Sequence, residues 1–247
     1  MALVETVGAE AQEATLADRM FAVISEAIVR GELKPGAKIS EPELARRYGI
    51  SRGPLREAMH RLQERRLVTR TPHFGARVVE LSPATLAEIF TVREALEGMA
   101  AREAARRITD PEIEHLRGLL RAHEAQFADA GTDSYAQGAS DEDFHFAIAR
   151  FSRNELLISL LCGEYYQLIR LYRSQHKSVA GRARRAFIEH GRIVEALADR
   201  DPDLAEMLMR RHVVAARQGM EEAMARSAQA APARGARGAR GRVRPAD

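Results

Sequence analysis

Apolar residues recur with a helical period along most of the chain, and one short region breaks this pattern. Spacings of three and four residues predict helices near residues 15–30, 40–48, 51–66, 83–107, 110–130, 139–152, 154–175, 181–199 and 201–226. The stretch LKPGAKI predicts a turn. The β-rich stretches LVTRT and ARVVEL flank PHFG, which predicts a hairpin with a loop of about four residues. The predicted fold class is mainly α, with one small β-hairpin.

Cap and turn residues mark where several of these helices begin and end. The stretch SEPE at residues 40–43 predicts a capping box with proline in the first turn, and Gly49 ends that short helix. Ser51 is predicted to cap the next helix. The apolar stripe of that helix is Leu55, Ala58, Met59 and Leu62. The pair Ser82-Pro83 predicts the start of a long helix, and from there the chain is expected to be helical throughout.

The helix that follows Ser51 lies in a strongly basic block. Between Ala45 and Val79 there are nine arginines and two glutamates, although the whole chain of 247 residues has a net charge of only +3. Such a block predicts a domain that meets a polyanion. Residues 227–247 hold five arginines among alanine, glycine and proline, so we expect a disordered basic tail that adds non-specific DNA affinity. Residues 1–14 are also expected to be disordered.

The composition also predicts where the protein works. No apolar run is long enough to span a membrane, and the N-terminus lacks the segments of a secretory signal. The single cysteine, Cys162, excludes an internal disulfide and fits a reducing compartment. We therefore expect a cytoplasmic protein without a membrane partner. Its predicted domains are a DNA-binding domain at residues 15–80 and an all-α domain at residues 81–226.

Three helices followed by a β-hairpin are the order of a winged helix-turn-helix domain. In that geometry the second helix of the pair lies in the DNA major groove, so Arg52 and Arg56 are predicted to contact bases. Gly53 keeps the first turn slim, so the backbone can approach the duplex. The predicted phosphate contacts are Ser51, Arg46 and Arg47. His73, at the hairpin tip, is predicted to reach the minor groove. The alternative is a merely solvated basic helix, and the order of the elements favours DNA binding.

The stretch GELKPGAKISEPELARRYGISRGPLREAMHRLQERRLVTRTPHFGARVV resembles the DNA-binding domain of the GntR family of bacterial transcription regulators. The resemblance implies that Arg52 and Arg56 are the main DNA-contacting arginines, with His73 and Gly75 in the wing. The family usually has glycine between the recognition helix and the wing, where this chain has Arg66. The end of that helix is therefore expected to differ.

Three histidines in the second domain have apolar neighbours on the same helical face. Asp141 and His145 are four residues apart, and His190 and His212 lie on apolar stripes of two later helices. Imidazole is a common metal ligand, and mixed nitrogen and oxygen donors suit zinc, nickel, manganese or iron. The alternative is a set of hydrogen-bonded core histidines. Four histidines with polar neighbours are predicted at the surface: His60, His115, His123 and His176.

The second domain resembles the FadR-type FCD subgroup of GntR regulators, in TVREALEGMAAREAA, DEDFH and EHGRIVEALADRDPDLAEMLMRRH. The resemblance implies a divalent metal ion, such as zinc, nickel or manganese. The implied ligands are Asp141, His145, His190 and His212. Arg93 is then suited to bind a small carboxylate effector, although the alternative is an exposed arginine paired with Glu97. The weaker candidates for the pocket wall are Tyr166 and Arg170.

The function predicted from these features is a ligand-responsive transcription regulator rather than an enzyme. A homodimer would bind an inverted-repeat operator, and the family resemblance favours a repressor that a small carboxylate metabolite modulates. Two alternatives stay open: a metal-dependent enzyme fused to a DNA-binding module, and a DNA-binding protein with a purely structural metal. The chain also loosely resembles GntR regulators associated with propionate and methylcitrate catabolism, in SEPELARRYGISRGPLREA and RTPHFGARVV.

Overall fold

The computed structural model describes residues 15–71, 74–80, 82–130, 139–164, 166–175 and 181–230. Within these ranges, the side chains of residues 125–130, 139–143, 164, 173–175, 183, 227 and 230 lie outside the description. The predicted disordered N-terminus, His73, His176 and the tail beyond Ala230 all fall outside it. No helix in the described ranges has both the length and the apolar content that a membrane span requires.

The N-terminal part of the structure is a winged helix-turn-helix. Its elements are α1 (Leu16–Val29), β1 (Lys38–Ile39), α2 (Glu41–Tyr48), α3 (Arg52–Glu64), β2 (Val68–Thr71) and β3 (Gly75–Val78). The remaining elements are α4 (Pro83–Arg107), α5 (Asp110–Ala130), α6 (Ala139–Phe151), α7 (Glu155–Ser159), a π-helical segment (Leu160–Glu164), α8 (Tyr166–Gln175), α9 (Arg182–Ala198) and α10 (Pro202–Ala230). The predicted fold class, a winged domain followed by an all-α domain, is confirmed.

The core of the winged domain forms where α1 packs on α3. A capping box between Thr15 and Asp18 starts α1, and the Ser40 side chain accepts a hydrogen bond from the Glu43 backbone at the start of α2. Every member of the predicted apolar stripe of α3 is buried: Leu55, Ala58, Met59 and Leu62. Removing the Leu55 side chain beyond its Cβ atom would therefore cost about 2–5 kcal/mol of stability.

The wing is a three-stranded antiparallel sheet rather than a simple hairpin. Its strand order is β1-β3-β2, with Ile39 opposite Ala76 and Thr71 opposite Gly75. The stretch predicted as a turn before α2 thus ends in a short edge strand. Gly75 belongs to β3 rather than to the predicted loop, and its φ of 83° favours glycine because it has no Cβ.

The recognition helix α3 ends two residues earlier than predicted. It ends at Glu64, and Arg66 then adopts a left-handed conformation with a φ of 55°. Glycine adopts this conformation without the steric cost that a Cβ atom brings. Arg66 therefore occupies a strained position at the joint between α3 and the wing.

Replacing Arg66 with glycine is expected to raise the free energy of unfolding by about 0.5–1 kcal/mol, because it removes the Cβ at a positive φ. Thermal denaturation would measure the change. Arg66→Ala is the matched control, since it removes the same charge and keeps the Cβ atom. Equal stabilities of the two variants would contradict the assignment of strain to Arg66.

In the helical domain, α4 and α10 run antiparallel along each other. Arg102 near the end of α4 pairs with Asp203 at the start of α10, whereas Arg210 bonds to Glu94 earlier in α4 at 3.0 Å. The absence of a side chain at Gly98 lets α10 approach closely, because a Cβ there would lie 2.6 Å from the Arg210 Cγ. Helix α10 also packs against α9, so α4, α9 and α10 lie next to one another in this domain.

Two predicted boundaries in the helical domain are wrong. The single helix expected at residues 154–175 is divided into α7, the π-helical segment and α8. Asn154 caps α7 by accepting hydrogen bonds from two backbone amides. Helix α10 continues to Ala230, so the first residues of the predicted disordered tail are helical.

The two domains contact each other through α1 and α8. The Arg170 guanidinium in α8 donates a hydrogen bond to Glu26 in α1 at 2.9 Å, and Glu26 also binds Arg30. The hydrogen bond from Arg170, aided by Arg30, outweighs burial and holds the pKa of Glu26 below its usual value. The Tyr172 hydroxyl donates to the Ser82 carbonyl at 3.1 Å, next to the start of α4. These contacts define a domain boundary between α1 and α8.

Candidate functional site

The first candidate site is the outward face of α3. Arg52, Gly53 and Arg56 are exposed in its first turns. Arg52 and Arg56 border an open groove of about 510 Å³, which Lys38, Ser40 and other residues of α2 and the wing also line. The structure therefore places the two predicted base-contacting arginines together, beside the sheet that forms the wing.

Ser51 begins α3, but it does so differently from the prediction. It occupies the N-cap position with an extended backbone, and its side chain makes no capping hydrogen bond. The first amides of α3 consequently lack a side-chain acceptor, and the positive end of the helix dipole lies at the same place. A hydroxyl and unsatisfied amides at a helix N-terminus are suited to hold a phosphate.

The other predicted DNA contacts lie on α2 and the wing. Arg46 and Arg47 are exposed on α2, and the Arg47 guanidinium lies 5.5 Å from the centre of the Tyr48 ring. Phe74 follows His73 directly and is 69% exposed, so the wing presents an aromatic ring that the sequence analysis did not single out. The signal in the sequence was an aromatic residue within the predicted loop PHFG.

Gly53 has no structural reason within the protein to be glycine. A Cβ atom built there would meet no other atom within 4 Å, and the same holds for Gly191 in α9. Gly53→Ala is therefore expected to raise the free energy of unfolding by up to about 1 kcal/mol, because alanine favours the helix. The same change is expected to weaken DNA binding, because the added methyl group lies between α3 and the duplex.

Thermal denaturation and DNA binding would be measured on the same preparations. Gly191→Ala is the matched control, which should gain stability and keep the DNA affinity of the unchanged protein. If Gly53→Ala bound DNA as well as Gly191→Ala, the predicted close approach of α3 to the duplex would be wrong.

The second candidate site is a histidine cluster in the helical domain. His145 of α6, His190 of α9 and His212 of α10 each place one ring nitrogen within 4.8 Å of the others. The Nε2 atoms of His190 and His212 are 3.2 Å apart. Two nitrogens bound to one metal ion at about 2.0–2.1 Å are separated by a similar distance. Phe144 stacks on His190 with ring centres 4.1 Å apart, which fixes that imidazole.

A glutamate orients His212. The Glu189 Oε2 atom is 2.7 Å from the Nδ1 atom of His212, so Nδ1 carries the proton and donates a hydrogen bond to the carboxylate. The lone pair of His212 is then on Nε2, the nitrogen that faces His190. Histidine ligands in metal sites are commonly held this way, by a carboxylate on the nitrogen that does not bind the ion.

A second glutamate orients His145 and joins it to Arg93. The Glu97 Oε2 atom is 2.8 Å from the Nδ1 atom of His145, and its Oε1 atom accepts a hydrogen bond from the Nε atom of Arg93 at 2.6 Å. Burial would raise the pKa of Glu97, but the charge of Arg93 and the hydrogen bonds from His145 and Arg93 hold that pKa well below its usual range. Glu97 is therefore a carboxylate.

Arg93 combines features of both sequence interpretations. It is paired with Glu97, as the surface alternative predicted, but it is buried rather than exposed. Its guanidinium lies 4.7 Å from the centre of the Phe90 ring. Among the described residues, its Nη1 atom is buried and has no hydrogen-bond partner.

The remaining residues predicted for this site are Asp141, Tyr166 and Arg170. Asp141 lies on α6 one turn before His145, and its side chain is outside the description. Tyr166 packs on Phe146, the residue after His145, with ring centres 4.6 Å apart. Arg170, predicted at the pocket wall, donates a hydrogen bond to Glu26 in α1.

Sequence reasoning misplaced one histidine and missed two further residues of the cluster. His123 was predicted at the surface, but it is buried, with its ring centre 6.3 Å from that of His190. His60 and His115 are exposed, as predicted. Glu189 and Arg182 were not singled out, and Glu97 was foreseen only as a partner of Arg93 and not of His145. The signals in the sequence were Glu189, which directly precedes His190, and Arg182, which lies seven residues before Glu189.

Comparisons with known proteins agree with this architecture. Residues 16–78 match the family model described as bacterial regulatory proteins, gntR family, and residues 88–215 match the FCD domain. The Nta operon transcriptional regulator of Aminobacter aminovorans is 34% identical over 185 residues, which cover 73% of this chain and 82% of that protein. The "Probable D-xylose utilization operon transcriptional repressor" of Paenarthrobacter nicotinovorans is 31% identical over 201 residues, which cover 81% and 87%.

A solved structure shows the same fold. A GntR-type transcriptional regulator from Rhodococcus sp. RHA1 superposes with a TM-score of 0.66 at 23% sequence identity, over 84% of this chain and 98% of that one. A winged helix-turn-helix domain followed by an all-α domain is thus a known fold. The chain belongs to the GntR family of bacterial transcription regulators, in the group with an FCD domain, and it is a DNA-binding regulator rather than an enzyme.

Proposed function

We propose that this regulator binds an inverted-repeat operator as a homodimer and that a small carboxylate metabolite, bound at a metal ion in the helical domain, modulates its DNA affinity. The observation that carries the proposal is the joint arrangement of three histidines and a buried arginine within one cluster. The DNA-binding surface alone would support a regulator without an effector.

The residues of the cluster fit a divalent metal ion. His145, His190 and His212 would supply nitrogen ligands, and Asp141 would supply an oxygen ligand. Glu97 and Glu189 keep the Nδ1 protons on two of the three rings, which leaves their Nε2 lone pairs for the ion. A bound ion would supply a positive charge with free coordination positions that suit a carboxylate oxygen.

Arg93 is the residue that we propose binds the effector carboxylate. Its buried Nη1 atom has no hydrogen-bond partner among the described residues, and a buried N–H group that stays unpaired is costly. A carboxylate can accept hydrogen bonds from a guanidinium along two parallel directions. The pairing of Arg93 with Glu97 through Nε leaves the Nη1 end for such a ligand.

Repression is the regulatory sign that we propose. The relative in Paenarthrobacter nicotinovorans is named as a repressor. Binding of the effector would then weaken DNA binding, with a coupling free energy of about 1–3 kcal/mol, as is typical of allosteric proteins. We propose that the protein acts in the cytoplasm, where its operator is.

The homodimer is supported by an exposed apolar stripe on α4. Val92 and Met99 are seven residues apart on one face of this helix and are 37% and 42% exposed. Met207, on the neighbouring helix α10, is also exposed.

Met99→Glu is expected to convert the dimer to a monomer, because a charge in an apolar interface is costly. Light scattering on the eluted protein would measure this, with the exposed Ile188→Glu as control; a dimeric Met99→Glu protein would place the interface elsewhere.

The experiment that tests the effector site is a thermal-shift screen of metal-loaded protein against small carboxylates. A ligand at 100 times its dissociation constant stabilises by about 2.7 kcal/mol, which is readily detected. The expected hit disappears in His190→Ala and changes the affinity for an operator selected from random duplexes. Stabilisation without any change in DNA affinity would contradict the proposed regulation, and a hit that persists in His190→Ala would place the effector away from the metal.

A further inference from the structure

The second buried arginine of the helical domain is Arg182, at the start of α9. It is 5% exposed, and its Nη2 atom donates a hydrogen bond to Glu189 at 2.9 Å. The same glutamate oxygen contacts His212 at 2.7 Å. Arg182 is therefore joined to the histidine cluster through one glutamate, just as Arg93 is joined to it through Glu97.

Most of the hydrogen-bonding capacity of Arg182 is unused within the protein. Its Nε and Nη1 atoms are buried and have no hydrogen-bond partner among the described residues. Glu189 and, more weakly, the His212 carbonyl at 3.4 Å engage only Nη2. Because buried guanidinium nitrogens are expensive to leave unpaired, this arrangement calls for a further acceptor.

The two arginines flank neighbouring histidines of the cluster. Glu97 joins Arg93 to His145, and Glu189 joins Arg182 to His212. The ring centres of His145 and His212 are 5.1 Å apart. Each guanidinium is therefore one carboxylate away from one of two adjacent imidazoles.

We propose that Arg182 forms a second anion subsite, so that the effector carries two anionic groups; this rests on the proposed function of the cluster as a carboxylate site. One carboxylate would meet Arg93 and the metal ion, and the other would meet the Nε and Nη1 edge of Arg182. A dicarboxylate satisfies both guanidiniums at once. A monocarboxylate leaves the donors of Arg182 without a charged partner.

The test compares dicarboxylates with monocarboxylates of the same carbon number, by calorimetric titration of the metal-loaded protein. The probe pairs are succinate with butyrate and glutarate with valerate. In at least one pair, the dicarboxylate is expected to bind about 10- to 100-fold more tightly, the worth of hydrogen bonds to a charged group. In Arg182→Met this ratio falls toward one, while the monocarboxylate affinity and the bound metal content stay unchanged.

Two further variants keep the test decisive. Arg182→Lys retains the charge beside Glu189 and loses the planar fork, so it is expected to fold normally and to lose part of the preference. Arg184→Met removes an exposed arginine from the same helix and should leave the ratio unchanged.

Four outcomes would overturn the proposed subsite, and each leads to a different conclusion about the carboxylate site. A preference that survives in Arg182→Met overturns the subsite. A variant that loses monocarboxylate affinity and metal content together shows that Arg182 only positions Glu189 and His212, and this also overturns it. Equal affinity of the unchanged protein for both members of each pair overturns the subsite and leaves the carboxylate site standing. A protein that binds none of the four probes overturns the proposed carboxylate site and the subsite with it.

Discussion

Replacing Glu97 with glutamine is expected to lower the free energy of unfolding of the metal-free helical domain by about 3–5 kcal/mol. The side chains of Arg93 and Glu97 are only 3% and 7% exposed, so their charges are removed from water together. Glutamine would leave the Arg93 charge buried without its counter-ion, which is among the costliest single changes in a protein core. Urea denaturation followed by far-ultraviolet circular dichroism would measure the loss.

Two controls separate the loss of the charge pair from a general effect of substitution. Glu103→Gln changes a glutamate of the same helix that pairs with Arg106 and Arg107 near the surface, and it should cost at most about 1 kcal/mol. Arg93→Met combined with Glu97→Met removes both charges, so most of the lost stability should return. A double variant as unstable as Glu97→Gln would contradict the explanation by an uncompensated charge.

Replacing Arg52 with alanine is expected to lower the affinity for the specific operator by about 5- to 150-fold, the equivalent of about 1–3 kcal/mol for one bidentate base contact. Arg52 is exposed beside Arg56 at the start of α3, and it makes no ion pair with another described residue that would have to be broken. The fold should therefore stay intact. The measurement is a titration of both an operator duplex and a scrambled duplex at two salt concentrations.

The matched comparison is Arg47→Ala on α2, which is predicted to contact phosphate. This variant should weaken binding to both duplexes by a similar factor and make the salt dependence less steep, because one phosphate contact is lost. Arg52→Ala should instead reduce the ratio between operator and scrambled affinity. If the two variants behaved alike, α3 would not be reading bases through Arg52.

Much of the fold could be predicted because its local signals agree with its tertiary contacts. Ser82 accepts a hydrogen bond from the Thr85 amide at the start of α4, and the helix has the predicted bounds of residues 83–107. The apolar stripe of α3 is buried as its period indicated. By contrast, β1 has only two residues, and its strand conformation depends on pairing with β3, so its own sequence carries almost no signal. The π-helical segment has an apolar pattern that a continuous helix would share.

The candidate metal ligands could be predicted because histidine is uncommon on apolar helical faces. The residues around them could not, because their partners are distant in sequence. Glu189 contacts His212 in another helix, and its neighbours along α9 do not reveal this. His123 was misplaced because charged residues lie close to it in the sequence, at Arg121 and Glu124. It lies seven residues after the buried Leu116, which was a signal for its inward face.

The contact between α1 and α8 affects how readily the two domains can change their relative arrangement. A partly exposed ion pair such as Glu26–Arg170 contributes at most about 1 kcal/mol to the attachment of the winged domain, in addition to the buried apolar residues that the two domains share in one cluster. Breaking this one ion pair would therefore add little to the cost of a second arrangement of the two domains. A ligand then needs only a modest difference in affinity between the two arrangements to redistribute the molecules between them. In the proposed regulation, a metabolite that binds better to the second arrangement would release the contact between α1 and α8.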